Sequence, residues 1–255
     1  MLTIDLNSDV GESEDPVQLA LESRIIPLVT SVNIACGVHA GSPEAMRRAL
    51  RTARHHGVAV GAHPGLPDRE GAGRRESRVK THEAERLVRE QILALADIAR
   101  QEGVSLSHVK PHGALYHLAA RNRVIADAIA QAVIAADRRL ALIGLAGSLL
   151  VTAAREIGIV AVAEAFADRA YLPDGSLVPR TYPGAVIVDE VTVAERALRI
   201  ARDRCIECQD GTVLLLAADT ICIHADSPGA DRLAAAARRA LLEGGVSLAR
   251  SHTRL

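Results

Sequence analysis

Short apolar, β-branched runs alternate along the chain with longer stretches of helical periodicity. The runs fall at residues 2–7, 31–35, 58–62, 107–110, 140–145, 159–164 and 220–223, each a fitting length for a buried strand. One helical stretch starts at Pro43, with proline in the first helical position after Ser42 as N-cap. A second runs from Thr81 through Glu102, where Leu87, Ile92, Leu95 and Ile98 recur near helical spacing and Gly103 marks the end. Further helices are expected over 122–136, 148–157, 190–204 and 228–243. Asp210-Gly211, between two apolar runs, predicts a small hairpin over 205–216. Repeated strand–helix units predict a parallel sheet covered by helices. About seven such units favour a closed, TIM-like α/β barrel over an open doubly wound sheet. No linker divides residues 1–255, so a single (βα) barrel domain is expected. The longest irregular stretches, 64–80 and 165–185, fall between units, where long loops tend to carry function.

Composition narrows the chemistry. The 255 residues carry 30 basic and 31 acidic side chains, and this neutral balance argues against nucleic acid as a partner. There is no Trp, and the aromatic residues are Phe166, Tyr116, Tyr171 and Tyr182. That leaves little to stack on bases or sugars. No apolar run approaches the ~20 residues of a membrane span, and Asp5 and Asp9 come too early for a signal peptide. A cytoplasmic location is expected. There the thiols of Cys36, Cys205, Cys208 and Cys222 stay reduced. Cys205-x-x-Cys208 has no second pair, which favours an ordinary loop pair over a zinc or redox site.

Polar residues gather at the predicted strand ends. Asp9 and Glu12 follow the first strand, His39 the second and His63 the third. Lys110 and His112 follow the fourth, Glu164, Asp168 and Arg169 the sixth, and His224 and Asp226 the last. In a parallel barrel all these ends open on one face, where active sites sit. Lys110 stands out because the chain uses two lysines against twenty-eight arginines; a lysine beside a buried strand there points to a need for a compact ammonium. Lys80 is expected on the surface, as are His55, His56, His82 and His252. Arg74 and Arg75 are an anion clamp or simply a charged loop. Gly144, Gly147 and Ser148 offer backbone amides to a phosphate, but no Gly-x-x-x-x-Gly-Lys-Ser/Thr loop occurs.

The segments I-D-L-N-x-D-x-G-E, N-I-A-C-G-x-H-A-G, G-A-H-P-G, V-K-P-H-G-A-L-Y, F-A-D-R-A-Y and D-T-I-C-x-H-x-D, in this order from Ile4 to Gly229, strongly resemble the LamB/YcsF family. The resemblance implies a seven-stranded barrel of the glycoside hydrolase/deacetylase type. It implies a hydrolase that opens the cyclic amide 5-oxo-L-proline to L-glutamate with ATP, together with subunits B and C, and with Mg accompanying the ATP. Ser8 stands where the family usually has Cys, and Val38 where it has Phe. The stretch from Glu14 to Val17, Leu66 and Ala72 stand where aromatics are common. For such a reaction Lys110 and Arg169 are the expected cations, and Asp9 the general base, with Glu12 or Glu164 second. His39, His63 and His112 would orient the lactam and relay protons. Two other readings compete. One is a metal-dependent amidase or deacetylase holding its ion on Asp9, His39 and His63. The other is a non-catalytic subunit that binds a small lactam.

Overall fold

The computed structural model describes residues 2–75 and 79–251. Strand β1 (Leu2–Val10) lies between β2 (Ser31–Ala35) and β9 (Thr220–Cys222), and that double pairing closes the sheet. The remaining barrel strands are β3 (Ala59–His63), β4 (His108–Val109), β5 (Ala141–Leu145) and β6 (Ala161–Phe166). All neighbours are parallel, in the order β1-β2-β3-β4-β5-β6-β9 and back to β1. The result is a closed seven-stranded barrel with helices between its strands. A short β10 (Val246–Leu248) pairs with the first residues of β1, outside the ring.

The helices are α1 (Pro16–Ile25), α2 (Pro43–His55), α3 (Thr81–Gln101), α4 (Gly113–Arg121), α5 (Arg123–Asp137), α6 (Leu149–Glu156), α7 (Glu190–Asp203) and α8 (Ala230–Glu243). Local chemistry starts them where the sequence expects. The hydroxyls of Ser42 and Ser148 and the side chains of Asn122 and Asp189 each accept an amide of the first turn. Along α3 the stripe Ala84, Val88, Ile92, Leu95 and Ala99 is buried against the sheet. The expected hairpin is present as β7 (Cys205–Glu207) antiparallel to β8 (Val213–Leu215).

Alternation along β1 builds the interior. Leu6 and Val10 join the apolar layer under the helices, while Asp5, Asn7 and Asp9 share the opposite face. Asp5 is fully buried yet satisfied: its carboxylate accepts from the hydroxyls of Thr30 (2.6 Å), Ser31 (2.8 Å) and Thr220 (2.5 Å). One level up, Asn7 donates to Glu164 (2.9 Å) and Thr220 (2.7 Å) and accepts from Asn33 (2.8 Å). The barrel is thus filled by a hydrogen-bonded stack at its centre, which carries the polar residues upward to the mouth.

Candidate active site

At the top of that stack sits one ammonium between two carboxylates. Lys110, just past β4, lies 2.9 Å from Asp9 Oδ1 and 2.9 Å from Glu164 Oε1. Its Nζ also approaches Cys222 Sγ at 3.2 Å and stands 5.4 Å from the centre of the Phe166 ring. Lys110 is 2% exposed and Glu164 fully buried. Burial alone would discharge the lysine, but Asp9 and Glu164 outweigh it and hold the ammonium well above its usual range. Burial likewise works against the Asp9 carboxylate, and its interactions with His63 and the Lys110 ammonium overcome it, holding Asp9 well below the usual carboxylate range. Asp9 Oδ1 also accepts from Asn33 (2.7 Å). Glu164 spends its other oxygen on the Tyr116 hydroxyl (2.8 Å).

Beside this cluster three imidazoles surround Glu12. His63 ends β3, and its Nδ1 donates to the Lys110 carbonyl (2.7 Å). His112 caps α4, and its Nε2 donates to the Ala72 carbonyl (2.8 Å). Those two bonds turn His63 Nε2 and His112 Nδ1 toward each other, 2.9 Å apart. His39 stacks on His112, with ring centres 4.0 Å apart and planes within 6°. Glu12 Oε1 lies 3.3 Å from His112 Nδ1, 3.7 Å from His39 Nε2 and 3.9 Å from His63 Nε2. Burial opposes its charge, but His39, His112 and His63 draw the Glu12 carboxyl down to about 2. Burial also pushes His112 down, to about 3, and lowers His39. Glycines make room for this stack. A Cβ on Gly65 would stand 2.4 Å from His39 Nδ1, and Gly73, at φ +67°, leaves room for only 2.9 Å to His39 Cβ.

The structure therefore brings Asp9, Glu12, His39, His63, Lys110, His112 and Glu164 to one mouth. Asp168 stands at its edge and binds His224, accepting from its amide (2.9 Å) and its Nδ1 (2.9 Å). Arg169 does not face the mouth as a free cation. Its guanidinium donates to the carbonyls of Ala185 (3.1 Å) and Val178 (2.6 Å), fastening the loop that follows β6. Among the described residues the rim cations are instead Arg74 and Arg180, both paired with Asp226, at 2.5 and 3.2 Å. The trio Asp9, His39 and His63, expected as a metal set, is divided. Among the described residues the groups with donor atoms all within 4.8 Å of one another are Glu12, His63 and His112, and Asp9, Cys222 and His224. The Cys205 and Cys208 pair belongs to neither.

A small cavity at the mouth is lined by Asp9, Glu12, Gln18, Glu22, Arg74, His224 and Asp226. Glu22 comes from α1, a helix that the apolar pattern does not announce, and it accepts from the Gly11 amide (3.1 Å). Burial raises its carboxyl to about 7. Tyr116 and Phe166 take part as polar and aromatic neighbours of Glu164 and Lys110, whereas Tyr182 is exposed. Ala72 adopts φ +48° and offers its carbonyl to His112.

Comparison with known proteins agrees with this architecture. A model of the LamB/YcsF family matches residues 4–254. A relative from Chloroflexus aggregans, named as the A subunit of 5-oxoprolinase, is 52% identical over 97% of this chain and 98% of its own. One of the same name from Tolumonas auensis is 47% identical over 97% and 99%. The crystal structure of a lactam utilization protein from Thermus thermophilus superimposes with a TM-score of 0.90 at 46% identity, covering 97% of this chain and 99% of that one.

Proposed function

The chain belongs to the LamB/YcsF family, and from that premise we propose that it is the A subunit of an ATP-dependent 5-oxoprolinase, a hydrolase that opens the lactam of 5-oxo-L-proline to L-glutamate. The observation that carries the reading is the Lys110 ammonium held between Asp9 and Glu164 at the barrel mouth, in a chain that aligns end to end with relatives bearing that name.

The chemistry follows from the difficulty of the substrate. A lactam is a poor electrophile because attack must break amide resonance. Transfer of the ATP γ-phosphoryl group to the lactam oxygen removes that resistance; water then adds to the activated carbon, the ring C–N bond breaks, and phosphate leaves. Such a site needs a fixed anion to receive the water's proton, cations for phosphate charge and donors for developing oxyanions.

Asp9 is the base best placed for the water. Its carboxylate is ionised and faces the cavity, with Lys110 and Asn33 fixing Oδ1 and leaving Oδ2 the longer contacts, 3.3 Å to Lys110 and 3.4 Å to His63 Nε2. Its low basicity suits an electrophile already activated. Glu164 has both oxygens bonded and serves as counter-ion to Lys110. Glu12 turns its Oε1 toward the imidazoles of His112, His39 and His63 instead. Lys110 orients Asp9 and keeps it charged. The cationic role expected of Arg169 passes to Arg74 and Arg180, whose guanidinium groups at the rim exchange Asp226 for phosphate oxygens. His224, held by Asp168, faces the same cavity as a donor.

No phosphate-binding loop of the usual kind exists in the sequence, so the nucleotide site is completed by partners, subunits B and C. The experiment is a coupled assay for glutamate formation from 5-oxoproline and ATP, with and without those subunits. Turnover is expected only with them. Full-rate lactam opening by the single chain would contradict the multi-subunit reading, and binding without turnover in the complete mixture would favour a role in lactam binding alone.

A further inference from the structure

We propose that Glu12, His63 and His112 form a binding site for one first-row divalent cation such as Zn²⁺, Mn²⁺ or Co²⁺, with His39 beside it as a potential further ligand. Backbone carbonyls can only accept, so the contact to the Lys110 carbonyl places a hydrogen on His63 Nδ1, and the contact to the Ala72 carbonyl places one on His112 Nε2. The inner nitrogens, His63 Nε2 and His112 Nδ1, then face each other as lone pairs only 2.9 Å apart. Two lone pairs at that distance repel unless a cation lies between or beside them.

A proton would satisfy the two nitrogens, but more donors than two are present. Glu12 Oε1 lies 3.3 and 3.9 Å from them and has no hydrogen-bond partner among the described residues. His39 is 1% exposed, neither of its ring nitrogens finds a partner among those residues, and its Nε2 points at the same oxygen from 3.7 Å. A buried carboxylate oxygen and a buried imidazole left without partners are each costly. One divalent ion relieves the Glu12 oxygen and the two facing nitrogens together, and leaves His39 Nε2 beside it.

The distances fit. Ligand atoms about 2.1 Å from an ion, separated by angles of about 90–110°, stand roughly 3.0–3.4 Å apart. One of the three separations, 3.3 Å, falls in that range and another, 2.9 Å, lies just below it; the third, 3.9 Å, needs only a small rotation of the Glu12 side chain. Two imidazoles and one carboxylate with open positions suit first-row divalent ions. The anchoring of each imidazole's outer N–H on a backbone carbonyl is the arrangement that fixes metal-binding histidines in the ligating tautomer.

The second group, Asp9, Cys222 and His224, lacks these features. Asp9 and Cys222 both touch the Lys110 ammonium, at 2.9 and 3.2 Å, which competes with any cation. Burial holds the Cys222 thiol well above its usual range, in the neutral form that ligates poorly.

The inference does not depend on the reaction assigned above, and its readout is metal binding. The full chain, stripped with chelator, is titrated with Co²⁺, following visible d–d absorption, and with Zn²⁺ by calorimetry. One equivalent of either ion is expected, with a raised melting temperature. Glu12→Gln and His112→Ala should each weaken binding by at least about a hundred-fold, and His224→Ala should keep the equivalent. Circular dichroism checks that each variant is folded, and Glu12→Gln preserves shape if His112→Ala does not fold. Absence of a stoichiometric site would overturn the proposal and leave a proton shared by His63 and His112. Loss of binding in His224→Ala, with retention in Glu12→Gln and His112→Ala, would overturn it in favour of the other group.

Discussion

Lys110 shows how a single side chain couples stability to chemistry. Replacing it with Met leaves two buried carboxylates, Asp9 and Glu164, facing each other without a counter-ion. Breaking a buried ion pair by removing one partner costs about 3–5 kcal/mol, and chemical denaturation of Lys110→Met should read a loss of that order. The lysine is legible in the sequence because arginine is used almost everywhere else. Glu22 is not, since nothing in a polar, weakly amphipathic segment marks one glutamate as buried. Its carboxyl, raised from 4.5 to about 7, holds its proton more tightly in the folded state. The native chain therefore loses stability as pH rises from about 4.5 through 7, because ionising the buried group then works against folding. At full ionisation this amounts to about 3 kcal/mol at most. Glu22→Gln should match the wild type in melting temperature near pH 4.5 and exceed it near pH 8. Equal melting temperatures across that range would show that Glu22 is not so perturbed.

At the scale of elements, the seven barrel strands and six of the helices follow from apolar runs, periodicity and caps. Their termini coincide with the expected ones to within a few residues, because Ser, Asn and Asp caps are local signals. The largest difference is β1, which runs to Val10 rather than ending at residue 7; its upper half alternates polar side chains that point into a polar interior, so no apolar pattern reveals it. Helices α1 and α4 escape the sequence pattern for related reasons. The first has a weak apolar stripe, and the second begins at Gly113 straight after His112, inside a motif that looks like loop. The loop after β3 shows an element acting at a distance. Gly65 packs against His39, which stacks on His112. A Gly65→Ala substitution should displace both rings and lower kcat/KM by about 10²-fold with the fold retained. Unchanged kinetics would mean the imidazole stack tolerates that displacement.

Over the whole molecule, parallel closure does what no local pattern can: it brings residues more than a hundred positions apart to one end. That the strand-end histidines and acids share a face is readable once a barrel is expected. Their partners are not. Arg169 and Arg74 both follow strands and look alike in sequence, yet the first is consumed by loop carbonyls and the second reaches the rim. Which arginine stays available depends on how two long loops fold back, and that is decided by tertiary contacts. In the proposed assembly the chain would supply the charged mouth and its partners would complete the nucleotide site. The most direct test of this account is glutamate formation by the reconstituted three-component enzyme carrying Asp9→Asn. The amide keeps the shape of the carboxylate and removes its charge. Turnover should fall by about 10²–10⁴-fold while the chain stays folded and assembled; a rate near that of the wild type would remove Asp9, and with it the proposed mechanism, from the reaction.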